Sequence, residues 1–220
     1  MLETISQIWD RYGYVYLQGT WGTVYIALLT VLFGSVLGML LSVLKMSRFK
    51  VLQAVSGFYI WIIRGTPVLL QLYFFYFFLP QYLPFELSEE QCIIMALVVN
   101  ASAYVAEIIR SGIQAVEIGQ TEAAKSLGMS GFHTMTRIIL PQAIKNILPA
   151  LGNEFIVMIK EASLASVFFI TEITSAFKTV QSATFITIPA LAISGALYLI
   201  LTTVSSFLMK LAERRLKAND

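Results

Sequence analysis

With 220 residues, 57% of them hydrophobic and only 13% charged, and with a mean hydropathy of +0.76, the chain is too apolar for a soluble domain of its length and belongs in a bilayer. A net charge of +2 is too small to indicate a nucleic-acid partner. Cys92 is the only cysteine, which excludes an intrachain disulfide framework and any cysteine-rich metal site.

A membrane-crossing helix needs about 20 mostly apolar residues, and five stretches qualify. The first covers about 21–44. It starts too far into the chain, is too long and lacks a basic head, so it is no cleavable signal. Gly34, Gly38 and Ser42 recur in it every four residues. Such a row either admits a neighbouring helix closely or reflects the abundance of glycine in membrane helices. The second stretch covers about 51–79 and carries Arg64-Gly65-Thr66-Pro67; the third covers about 92–109, the fourth about 143–159 and the last about 186–211. Residues 164–173 are apolar but too short to cross, and Glu172 and Lys178 lie there or soon after, so 163–187 reads as a re-entrant or surface segment. Nothing divides the chain, so one membrane domain over 1–220 is expected, with its core at about 19–211.

Eleven of the fifteen basic residues fall in three regions: Lys45, Arg48 and Lys50; Arg110, Lys125, Arg137 and Lys145; and Lys210, Arg214, Arg215 and Lys217. Five spans put all three on one side, the cytoplasmic one by the positive-inside rule. Glu3, Asp10, Glu86, Glu89 and Glu90 then face outward. The amino terminus is expected outside, the carboxyl terminus inside, and the polar island from Glu122 to Pro141 in the cytoplasm.

The island has a local logic. Residues 119–127 are good helix formers with Ala123, Ala124 and Leu127 apolar, and Gly128 is placed to stop the helix. Ser130 can cap a second short helix through Arg137, and Pro141 suits the first turn of the next span. Ala123 and Ala124 would let the first helix lie deep in a partner's groove, with Glu122 offering a charge. His133 stands alone and reads as solvated or partner-facing rather than as a ligand or base.

Charges within spans each cost about 3 kcal/mol on insertion scales and usually face a cavity or partner. Arg64, some thirteen residues into the second span, falls near mid-membrane by helix rise. Gly65 and Pro67 weaken the helix after it, and backbone groups freed there are tolerated where they line a pathway. Arg64 either receives a carboxylate or gates, or it ties the kink to a neighbour. Asn100, Tyr104 and Glu107 share one face of the third span, with Glu107 favoured as the partner of Arg110. Glu154, Lys160 and Glu161, with Ser163 beside them, either meet the ammonium and carboxylate of an amino acid or stabilise a dimer centre. Aromatic residues from Tyr73 to Phe78, with Trp21 and Trp61, read as lipid-facing packing and interface anchors.

Taken in order, Arg64-Gly65-Thr66-Pro67, Ala103-Tyr104-Val105-Ala106-Glu107-Ile108-Ile109-Arg110, Glu122-Ala123-Ala124 with Gly128, Ile138 and Leu140-Pro141, and Gly152-Asn153-Glu154-Phe155 with Lys160-Glu161-Ala162-Ser163-Leu164 resemble the permease subunits of bacterial polar amino acid ABC importers. The likeness is to the histidine, glutamine, arginine and cystine branch. It implies an all-α integral membrane fold: a type I importer transmembrane domain of five helices with a cytoplasmic coupling helix in the EAA loop, about 117–141. It further implies docking of that loop on separate ABC ATPase subunits through Glu122, Ala123, Ala124, Gly128, Leu140 and Pro141, pairing with a second copy or a sister permease, and delivery of the amino acid by an extracytoplasmic solute-binding protein. A substrate pathway is expected among Arg64, Gly65, Thr66, Pro67, Asn100, Tyr104, Glu154, Lys160, Glu161 and Ser163.

The chain has no Gly-x-x-x-x-Gly-Lys-[Ser/Thr] phosphate loop, so ATP and Mg are expected on the partner ATPase and no cofactor on this chain. It also lacks His-Glu-x-x-His and Gly-x-Ser-x-Gly, which speaks against metalloprotease and hydrolase chemistry. The rival readings are a secondary transporter, for which more spans and an inverted repeat are expected, and a non-transporting membrane scaffold or intramembrane enzyme. The expected location is the bacterial cytoplasmic membrane.

Overall fold

The computed structural model describes residues 1–84 and 86–217, with side chains as far as Arg215. The side chain of Lys217 and residues 218–220 of the expected domain lie outside the described residues. Every regular element among those described is helical.

The first helix, α1 (Leu2–Lys45), is 44 residues long, about 66 Å at ~1.5 Å per residue and roughly twice a bilayer core. It therefore extends the expected span backward through residues 2–20. Ile5, Ile8, Tyr12, Val15 and Tyr16 recur at helical spacing there and pack against residues 176–197; the Tyr16 hydroxyl donates to the Ala190 carbonyl at 3.0 Å.

Gly34 and Gly38 are close-packing positions. A Cβ on Gly34 would come within 2.9 Å of Ala101 Cβ, and one on Gly38 within 2.7 Å of Val105 Cβ. Both neighbours lie on the third span, so the small-residue row seats α1 on that helix rather than reflecting glycine abundance alone. Ser42 continues the row, buried, with its hydroxyl turned back to the Met39 carbonyl at 2.8 Å.

The second span is not one kinked helix. The chain forms α2 (Lys50–Gly65) and α3 (Val68–Phe77), followed by the single turn α4 (Leu79–Tyr82), with a bend of 105° between α2 and the pair α3–α4. Pro67 lacks an N–H and disfavours helical geometry at the residue before it; Thr66 is accordingly extended, at φ −119° and ψ 146°. The break follows Arg64, the penultimate residue of α2, so the second span is straight up to Arg64 and changes direction beyond it.

The third span is α5 (Glu89–Gln114), capped reciprocally by Ser88 and Gln91. Two short helices follow, α6 (Ile118–Ser126) and α7 (Gly131–Thr134), then a π-helical turn, Met135–Ile139, and α8 (Leu140–Glu161). A 3₁₀ segment, Ala162–Phe168, leads to α9 (Ile173–Thr184) and finally α10 (Ile188–Lys217). With 12 residues, α9 is about 18 Å long. It is too short to cross, as expected of 163–187.

Length and apolarity qualify α1, α5 and α10 to cross a membrane, and the bent pair as a fourth span if taken together. The expected fourth span, within α8, falls outside this group. Its 22 residues give about 33 Å, but Lys145, Glu154, Lys160 and Glu161 lie among them. Its start is a continuation of the loop helices rather than a fresh beginning at Pro141.

Candidate functional site

The loop between α5 and α8 is built around Gly128, at φ +78°. The Gly128 N–H donates to the Lys125 carbonyl at 2.9 Å and the Met129 N–H to the Ala124 carbonyl at 3.1 Å, so α6 ends in a Schellman motif that needs a left-handed residue at this point. Ala124 is buried within the loop, whereas Glu122 and Ala123 are exposed. Only part of the small-residue face expected to enter a partner is therefore available. Three apolar side chains that carried no expectation as docking residues stand out from the loop: Ile118, Leu127 and Phe132, exposed by 74%, 83% and 74%. Isolated large apolar residues in a polar loop are the signal that could have found them.

Ser130 caps α7 as expected, accepting from the His133 N–H at 3.3 Å, and its hydroxyl also lies 2.8 Å from His133 Nδ1. The helix then passes without a break through the π turn into α8, the Leu140 N–H reaching back to the Met135 carbonyl. Pro141 supplies no N–H and its ring would clash with the carbonyl four residues earlier. A wider turn just before it accommodates both. Residues 131–161 thus form one continuous helix from the exposed loop to Glu161.

Glu161 and Glu154 belong to the interior polar set. Glu154 Oε1, Glu161 Oε2 and Asn100 Oδ1 are buried with no hydrogen-bond partner among the described residues. Lys160 is exposed and Ser163 half-buried. Gly152, just before this set, is pressed against α10: an added Cβ would lie 1.9 Å from Met209 Cε. Asn100 is 1% exposed, and its Nδ2 donates to Gln71 Oε1 at 2.9 Å.

Gln71 is a site residue that the sequence reading does not single out. Its Nε2 donates to the Ile63 carbonyl at 2.7 Å, to Thr66 Oγ1 at 2.8 Å and to the Thr66 carbonyl at 3.2 Å. These acceptors lie at the unravelled end of α2, where the helix leaves carbonyls without intrahelical partners. One side chain therefore closes the break and ties it to Asn100. A single glutamine inside an apolar run, one to two turns after a proline, was the available signal.

By sequence, Glu172 reads only as a charge marking the end of an apolar stretch. It is fully buried, and its carboxylate accepts from the Thr174 N–H at 2.7 Å, the Ser175 N–H and the Tyr198 hydroxyl at 2.7 Å. It caps α9 and joins it to α10. Gly22 lets α1 approach, since a Cβ there would fall 2.0 Å from the Thr171 carbonyl oxygen.

Arg64 stands apart from Glu154 and Glu161. It lines a cavity of about 450 Å³ with Lys45, Trp61, Tyr104 and Glu107, on α1, α2 and α5, and its guanidinium lies 5.2 Å from the Tyr104 ring centroid. The stripe on α5 accordingly divides: Asn100 turns to Gln71, while Tyr104 and Glu107 turn to Arg64. Glu107 pairs with Arg110 as expected, both carboxylate oxygens lying 3.1 Å from Nε, and Lys45 Nζ lies 3.7 Å away.

The family described as the binding-protein-dependent transport system inner membrane component matches residues 12–218. The chain belongs to this family. The match begins ahead of the expected core and takes in much of the amino-terminal half of α1. The permease is 39% identical to the arginine transport system permease protein ArtQ of Bacillus subtilis, over 93% of each chain. It is also 39% identical to the nopaline transport system permease protein NocM of Agrobacterium fabrum, over 87% of this chain and 83% of that one. With a putative glutamine transport system permease protein, GlnP, of Rickettsia conorii the identity is 35% over the full length of both. Among solved structures, an amino acid ABC transporter crystallised with histidines matches with a TM-score of 0.90 and 43% identity, over 94% of this chain and 96% of that one. The methionine transporter MetNI, at 18% identity and a TM-score of 0.77, shares the fold. The permease therefore has the type I ABC importer transmembrane fold.

Proposed function

We propose that the permease forms the membrane pathway of an ATP-driven importer for a polar amino acid of the basic, glutamine or cystine class. The relatives named for arginine, nopaline and glutamine support this cargo class. In this reading the chain does no chemistry of its own. ATP and Mg bind the partner ATPase subunits, a second copy or sister permease completes the pathway, and an extracytoplasmic solute-binding protein delivers the amino acid. The permease sits in the cytoplasmic membrane with its amino terminus outside, its carboxyl terminus inside and the α6–α7 loop facing the ATPase.

The observation that carries the reading is the continuous helix over 131–161, with Phe132 exposed at one end and, towards the other, Glu154 and Glu161, each with one buried carboxylate oxygen that no described residue meets. A displaced α6–α7 loop moves that rod and so repacks the polar interior. Such a switch needs two packings of similar energy, each favoured by one nucleotide state. The pathway centres on the Thr66–Pro67 break, Asn100, Glu154, Lys160, Glu161 and Ser163, where a zwitterion meets both acids and a cation. Gly65, exposed at the break, borders the separate Arg64–Tyr104 cavity instead.

The test is co-purification of the permease with its ATPase, followed by ATP turnover. Leu127→Asp and Phe132→Asp are expected to release the ATPase while leaving the permease monodisperse. Undiminished association of both variants would overturn the coupling role.

A further inference from the structure

The cavity between α1, α2 and α5 carries an unbalanced charge. Lys45 and Arg64 both line it, and Glu107 is the one carboxylate among its described lining residues. Glu107 is already engaged by Arg110, with Lys45 farther off at 3.7 Å. Arg64 rests on the Tyr104 ring and makes no ion pair with any described residue. A cation in a membrane domain without a carboxylate is costly unless an anion or water meets it.

Depth points to the source of that anion. Lys45 closes α1, and Arg48 and Lys50 follow as the chain turns into α2, a basic turn of the kind found at a bilayer boundary. Because Arg64 shares a cavity with Lys45, its head lies near that boundary. This is shallower than the mid-membrane depth that helix rise along the second span gives. Trp61, one turn before Arg64, is 70% exposed, and tryptophan collects at headgroup level. Gly57 and Gly65 leave the space open, since a Cβ on either meets nothing within 4 Å. The volume of about 450 Å³ equals that of about fifteen waters at roughly 30 Å³ each.

We propose that this cavity binds the phosphate of an anionic membrane lipid, with Arg64 and Lys45 as its donors. A guanidinium fork grips phosphate oxygens in pairs while a lysine adds a point charge, and basic pockets between transmembrane helices take anionic head groups. The bound lipid braces the α1–α2 turn against α5. The proposal does not rest on the cargo assigned above, because lipid retention is read without transport.

The experiment is native mass spectrometry of the permease–ATPase complex released from vesicles of phosphatidylethanolamine and phosphatidylglycerol in equal amounts. The unmodified complex is expected to retain phosphatidylglycerol in preference. Arg64→Gln with Lys45→Gln lowers that retention about tenfold, Arg64→Lys falls between, and Arg48→Gln, outside the cavity, retains it fully. Lys45→Gln alone, remote from the helix break, serves if the Arg64 variants do not assemble. Equal retention by the double variant and the unmodified complex would overturn the proposal. So would an Arg64→Gln variant with a raised KM for the amino acid and unchanged lipid retention, which would assign the cavity to the transported carboxylate.

Discussion

At the residue scale, Gln71 and Gly128 each meet a local demand of the backbone. Gln71→Leu removes the donor that serves the Ile63 and Thr66 carbonyls and leaves the Asn100 amide without its acceptor. Stranding the buried Asn100 amide costs about 1–3 kcal/mol. Thermal unfolding of the solubilised permease is expected to shift to clearly lower temperature, and an unchanged midpoint would refute the role given to Gln71. Gly128→Ala forces a Cβ into the left-handed region at φ +78°, at a cost of about 1 kcal/mol. Faster hydrogen exchange at the last amides of α6 is the expected sign, with Gly131→Ala, where nothing lies within 4 Å and no positive φ is required, leaving exchange unchanged.

At the scale of elements, the contact between α1 and α5 is set by how closely two backbones approach. Gly38→Leu drives a side chain into Val105, whose Cβ already lies 2.7 Å from the place of an added Cβ. Overpacking of this kind costs typically 1–3 kcal/mol, and lower yield of folded permease with a lower unfolding temperature is expected. Gly57→Ala, in open space, serves as the neutral comparison. This contact was legible beforehand as one of two readings of Gly34 and Gly38, and so were α5, α10 and the Gly128 stop, because apolar length and a required left-handed residue are local properties. The angle after Arg64 was not legible: Pro67 announces a break, but the direction taken afterwards depends on Gln71 reaching Ile63 and Thr66. Nor was the start of α1 at Leu2. Glu3, Asp10 and Arg11 interrupt residues 2–20, and their Ile5–Ile8–Tyr12–Tyr16 period acquires meaning only when α9 and α10 cover it. Site residues divided the same way. Asn100 and the Glu107–Arg110 pair followed from helical spacing, whereas the placing of Arg64 beside Lys45 and Tyr104, away from Glu154, depends on how α2 packs against α1 and α5.

For the whole molecule, one rod, residues 131–161, joins the exposed loop to the internal polar set. Pro149 lies within that rod, where it removes one backbone hydrogen bond and gives the helix a place to flex. The measurement that bears most directly on this is amino acid accumulation in proteoliposomes containing the permease, its ATPase and its solute-binding protein. Accumulation is expected to require ATP, to be abolished by Phe132→Asp, and to be reduced in Glu161→Gln without loss of ATPase binding. Accumulation driven by an ion gradient in the absence of ATP, or undiminished by Phe132→Asp, would contradict the coupling role.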